Sequence, residues 1–154
     1  MGTVDRPPEK PQLSFGNLRL GDGAEVTVSP ATGASATYVS VSPVSEGDAR
    51  IVSAENAVTL ISDVKFVSGT PATLSLAGAV SFGETFTATV PSSWFRQIES
   101  SHILVDFSSA DLKSAFPSTL MIKNETGKIL DRPRLIRCGK AIKLVKNGFA
   151  VILR

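Results

Sequence analysis

From residue 13 to residue 90 the chain alternates apolar side chains with small hydroxyl-bearing ones. Val26 and Val28 alternate with Thr27 and Ser29, and Val39 and Val41 alternate with Tyr38, Ser40 and Ser42. The same period of two returns over residues 72–76 (ATLSL) and 84–90 (ETFTATV). Successive side chains of a strand point to opposite faces, so this is the pattern of half-buried pleated strands. Turn-forming clusters punctuate it at 21–23 (GDG), 42–48 (SPVSEGD) and 68–71 (SGTP). Short strands separated by turns at this spacing predict an all-β chain, a single-domain and mainly antiparallel sandwich or barrel over residues 13–154.

Two short helical turns are expected to interrupt the second half. Ser92 and Ser93 fit the start of one that runs through Trp94, Phe95 and Ile98. Residues 108–111 (SSAD) have a capping pattern and lead into Leu112, Ala115 and Phe116 before Pro117 stops the helix. Between them residues 102–107 (HILVDF) read as a buried strand. Near the C-terminus Asn147-Gly148 is the dipeptide preferred by a type I′ hairpin turn. Alternation around it places Ile142 and Leu144 on one face with Phe149, Val151 and Leu153. Lys143 and Arg154 fall on the other, beside Val145, Ala150 and Ile152. Residues 1–12 carry Pro7, Pro8 and Pro11 among polar residues and read as a flexible N-terminal arm.

The arm has no apolar stretch of the signal-peptide kind, and Arg6 stands where a myristoylation start at Met1-Gly2 would need Ser or Thr. The longest apolar run, residues 149–153, is far too short to span a bilayer. A soluble protein is expected, in a virion or in the cytoplasm. One cysteine, Cys138, allows no internal disulfide and leaves the redox compartment open.

Charge changes this picture more than composition does. The formal net charge is only +2, yet residues 120–154 hold nine bases against Glu125 and Asp131, a local +7, while residues 1–119 carry −5. An asymmetry of this size marks one portion of the chain as a partner-facing surface. The residues expected to form it are Arg132, Arg134, Arg137, Lys140, Lys143 and Lys146.

Catalytic and cofactor chemistry find little support. His102 and Asp106 lie four residues apart on one strand, about 13 Å at 3.3 Å per residue, too far for the acid to orient the imidazole. There is no Gly-x-Ser-x-Gly elbow, no third glycine after Gly21 and Gly23, and no P-loop. One histidine and one cysteine do not make a zinc site, and the acids lack the spacing of a calcium loop. No catalytic, cofactor-binding or metal-binding residue is therefore expected. Cys138, between Arg137 and Gly139-Lys140, reads as a small hydrophobe in a strand rather than a reactive thiol. Asn124-Glu-Thr126 matches a glycosylation sequon but reads more simply as a turn before Gly127.

The short Ser/Thr/Ala/Val-rich strands and the proline-bearing arm resemble virion accessory proteins of phages (head-decoration, tail or baseplate components). They also resemble bacterial immunoglobulin-like modules. That resemblance implies a non-enzymatic structural or assembly module, a homo-oligomer that also binds a larger assembly. The alternative is a β-barrel that binds nucleic acid or another polyanion through the basic C-terminal segment.

Overall fold

The computed structural model describes residues 13–29 and 37–146. The expected arm, the Asn147-Gly148 turn and the strand after it lie outside the described residues. What is described is all-β, a single mixed sheet of ten strands.

The strands are β1 (Leu13–Leu20), β2 (Ala24–Val28), β3 (Thr37–Ser45), β4 (Ala49–Ser53), β5 (Ala57–Phe66), β6 (Leu74–Thr89), β7 (Ser101–Leu112), β8 (Thr119–Lys123), β9 (Arg134–Arg137) and β10 (Ala141–Val145). Seven of their nine ladders are parallel. Among the named strands the expected antiparallel pairing is confined to β10, which lies between β7 and β9; one isolated antiparallel bridge joins Lys123 and Ile129. The reason is visible in the register. Ala24 pairs with Ala49 and Ala49 with Leu74, so successive partners lie 25 residues apart. Leu20 pairs with Ser45 and Ser45 with Phe66 in the same sense. The turns at 21–23, 46–48 and 68–71, which look like hairpins in the sequence, are corners, after which the chain continues around and returns beside its own earlier strand.

The sheet is therefore wound into a parallel coil with three faces. The first stacks Val39, Thr59 and Val80; the second stacks Leu20, Ser45 and Phe66; the third stacks Ala24, Ala49, Leu74 and Val105. Alternate side chains from all three point inward and form one core, in which Ile51, Ile61, Phe66, Leu74, Leu76, Phe86, Trp94, Leu104 and Phe107 are fully buried. Hydroxyl groups that enter it are paired: Ser53 Oγ lies 2.6 Å from Thr59 Oγ1 and donates to the Ala79 carbonyl, and Ser45 Oγ donates to the Gly47 carbonyl. Among the described residues no buried side-chain nitrogen or oxygen lacks a partner. The small hydroxyl residues of the sequence are thus used on both sides of the coil wall.

Three further expectations are corrected. The segments at 72–76 and 84–90 are not two strands but fall at the two ends of one, β6 (Leu74–Thr89), which turns a corner at Gly78; its φ of +81° suits glycine, and a Cβ there would lie 2.5 Å from the Ser53 carbonyl. The 42–48 turn is shorter than its sequence suggests, because Pro43 stays in β3 opposite Leu18 and the chain bends only over residues 46–48. Residues 108–111 continue β7 instead of starting a helix. Asp106 Oδ1 accepts from the Ser108 N–H, and Ser109 to Leu112 pair with Ala77 to Val80. The other expected helical turn is present as a 3₁₀ turn, Ser92–Arg96, with Trp94 buried against Phe66. The expected strand over residues 102–107 lies within β7.

Candidate interaction surface

The basic segment enters the fold as the antiparallel pair β9–β10, which closes the last coil along the third face. Their hairpin turns at Gly139-Lys140, where Cys138 and Ala141 exchange backbone hydrogen bonds and Gly139 has φ +62°. Cys138 is exposed in this turn, not packed within a strand as its sequence context suggests.

Parity decides where each base points. Ile142 and Leu144 are buried, and directly paired residues of antiparallel strands share a side. Arg137, opposite Ile142, and Leu135, opposite Leu144, therefore lie on the inner side. The Arg137 guanidinium carbon sits 4.5 Å from the centroid of Phe116 and 5.8 Å from that of Phe107, and its Nε donates to the Gly139 carbonyl. This base covers the aromatic end of the core. Lys146 donates through Nζ to the Ile98 carbonyl at 3.1 Å. Two of the six bases are thus held by the fold itself.

The other four are open. Arg132, Arg134 and Lys140 are exposed and Lys143 is half-buried; none has an ion-pair partner among the described residues. Lys143 projects outward between two strand neighbours, Ile103 on β7 and Ile136 on β9. Both isoleucines are 38% exposed, two of the four large hydrophobics that stand out from the described surface. The next row holds Ser101, Val145 and Arg134. The sequence shows the outward parity of Lys143 and of Arg134 against buried Leu135. It does not show Ile103, because the side of that residue is set by cross-strand register.

At the opposite end of the third face the outer side is acidic. The corner before β2 and the corner before β4 stack, with Asp22 Oδ1 accepting from the Asp48 N–H at 3.0 Å and Asp48 Oδ1 accepting from the Thr73 N–H at 2.8 Å. Glu25 forms an exposed ion pair with Arg50 at 3.2 Å. Along that row Ser75 and Asp106 follow in register. The Asp106 carboxyl is held below its ordinary range, first by the Ser108 N–H, then by the Ser108 hydroxyl, with a further contribution from Arg50. A shallow groove of about 530 Å³ runs over Glu25, Asp48, Arg50, Thr73 and Ser75.

The remaining candidates have local roles. His102 Nε2 donates to the Ala72 carbonyl at 2.7 Å, with the ring edge-on to Trp94, while Asp106 is engaged by Ser108. Asn124 Oδ1 accepts from Thr126 and Lys128, the turn expected from that segment. Among the described residues no group of three or more His, Cys, Asp or Glu side chains could hold a metal ion. No described helix is long and apolar enough to cross a membrane. No protein-family model matches the chain, and neither a curated protein nor a solved structure shows detectable similarity to it.

Proposed function

We propose that this chain is a non-enzymatic assembly module that binds copies of itself and a larger structure, as a virion accessory component does. The observation that carries this reading is the outward row Ile103–Lys143–Ile136 in the middle of a continuous three-strand surface. Exposed β-branched side chains around a cation, rimmed by Arg132, Arg134 and Lys140, combine an apolar centre with a charged edge, the anatomy of a protein-docking patch. The virion setting rests on the resemblance in composition and arm, not on the surface. A stacked coil around one continuous buried core suits this role, since it presents its outer faces rigidly.

A second reading, polyanion binding, is favoured by one observation: those four bases have no acidic partner among the described residues. Salt separates the two. Four phosphate contacts would cost roughly two orders of magnitude in affinity between 50 and 200 mM salt, because each contact releases a condensed counterion. The test is sedimentation of the full chain beside titration with a fluorescent 20-mer duplex. Self-association without tight duplex binding supports the assembly reading. Tight, steeply salt-dependent duplex binding by a monomer would replace it.

A further inference from the structure

Building on the assembly reading, we infer that the outer side of the third face is a contact between two copies of this chain related by a twofold axis. The basic, isoleucine-bearing end of each copy lies on the acidic end of the other.

The inference comes from the order of residues across the strands. The third face runs β2, β4, β6, β7, β10, β9. A single line crosses it perpendicular to the strands. Ile136 pairs with Lys143 and Lys143 with Ile103. The Ile103 carbonyl accepts from Thr73 Oγ1 at 2.7 Å, the Thr73 N–H donates to Asp48, and the Asp48 N–H donates to Asp22. One line therefore starts at an isoleucine and a lysine and ends at two aspartates. Half a turn about an axis parallel to the strands, between β6 and β7, reverses that line onto itself. Lys143 then faces the Asp48 of the other copy, Ile103 faces Thr73, and Ile136 faces Asp22. The operation makes both contacts at once, which is what an isologous interface requires. Among the described residues only one carboxylate oxygen of Asp48 is engaged, which leaves the other for the incoming ammonium.

Six strands at about 4.8 Å spacing and five residues at about 3.3 Å give roughly 500 Å² of flat face. A standard stable interface uses about 800 Å² per partner. The contact is therefore expected to be weak and strongly salt-dependent, with dissociation in the micromolar range.

Charge-swapped variants test it. Lys143→Glu sets a carboxylate against the Asp48 of the other copy, and Asp48→Lys, which gives up only the exposed bond to the Thr73 N–H, sets an ammonium against its Lys143. Sedimentation velocity of the full chain at 1–100 µM should show a wild-type dimer that weakens at least tenfold between 50 and 500 mM salt. Each variant alone should dimerise at least tenfold more weakly, with unchanged circular dichroism. An equimolar mixture should recover the dimer, because each unlike pair restores both contacts. Lys143→Gln, which removes charge without reversing it, should fall between. A wild-type chain that stays monomeric at 100 µM in 50 mM salt would refute the twofold contact. So would species larger than dimers that grow with concentration. If the wild type associates and neither variant changes that, this surface is wrong while self-assembly itself stands.

Discussion

Substituting Gly78 by alanine should be among the most damaging single-methyl changes available to this fold, and its cost divides into two measurable parts. Gly78 is the corner at which β6 leaves the third face of one coil and enters the first face of the next. Its φ is +81°. An L-residue held in the left-handed region costs about 1–2 kcal/mol through contact between Cβ and the following carbonyl. The second part is packing: the new Cβ would lie 2.5 Å from the Ser53 carbonyl and 3.0 Å from the Ser53 Cβ. Both atoms belong to the coil beneath, where Ser53 is bonded to Thr59 and to the Ala79 carbonyl, so relief needs the two coils to move apart. Overpacking of this kind costs about 1–3 kcal/mol. Together the loss is about 2–5 kcal/mol, or very roughly 4–20 °C in Tm for a chain of this size. Gly127 is the control: its φ is +89° and nothing lies within 4 Å of the added Cβ. Gly127→Ala should show only the conformational part. Urea denaturation of both variants, followed by tryptophan fluorescence from Trp94, gives the comparison. If Gly78→Ala is no less stable than Gly127→Ala, the close approach of adjacent coils at this corner is wrong.

Three further outcomes follow from the same contacts. Asp48→Ala removes the acceptor for the Thr73 N–H and should cost about 1 kcal/mol in urea denaturation, since an exposed donor regains water. The Glu125 carboxyl is lowered by its own backbone N–H, then by the N–H and hydroxyl of Ser92, whose 3₁₀ turn it holds. Its contribution is complete above the ordinary value of 4.5 and is lost as pH falls through the lower folded value, so Glu125→Gln should flatten that part of the acid limb of stability against pH. Arg137→Ala should lose about 0.5–1 kcal/mol of cation–π attraction over Phe116 and Phe107. Arg137→Lys should retain part of it, and denaturation of the two variants side by side reads the difference.

The existence of the strands was legible in the sequence because a period of two belongs to any half-buried strand. It does not say which way the neighbour runs. Direction is set by where the chain goes after each turn, and the corners here use the same Gly, Asp, Ser and Pro residues as hairpins. A clue was present in the recurrence of Ala24-Glu25-Val26 as Ala49-Arg50-Ile51, an apolar–charged–apolar unit 25 residues on, since repeats of 20–50 residues are the signature of stacked architectures. The false helix at 108–111 has a similar origin. A side-chain carboxylate that accepts from a backbone N–H two residues on serves a helix cap or a kinked strand equally well, and at Asp106 it serves the strand. On the candidate surface, Lys143 and Arg134 were readable because each sits beside a residue that must be buried. Ile103 was not, because an irregularity between Ile142 and Lys143 shifts the β7–β10 register and so decides which β7 residues share the outer side.

The charge asymmetry that marks the C-terminal segment has two physical origins, and the fold separates them. A parallel coil left at its last turn exposes the ends of its core and an unpaired edge, both hazards for uncontrolled stacking. The β9–β10 hairpin closes this end by reversing strand direction, and its inner side supplies Leu135, Ile142 and Leu144 to the core and Arg137 to the rings of Phe107 and Phe116. A guanidinium suits that position because it covers aromatic faces while keeping contact with water. Lys146 likewise satisfies the Ile98 carbonyl. Those two positive charges are explained by closure alone. Lys143, Arg134, Arg132 and Lys140 are not, for nothing in the described structure uses them. Lysine and arginine on an edge strand do discourage stray pairing along that edge. But that role calls for charge at the edge itself, and Lys143 lies one strand in, flanked by two exposed isoleucines. Defence of an edge does not call for apolar side chains around a central cation. A docking surface does, and this combination is what makes assembly a better account of the surplus charge than protection of the edge.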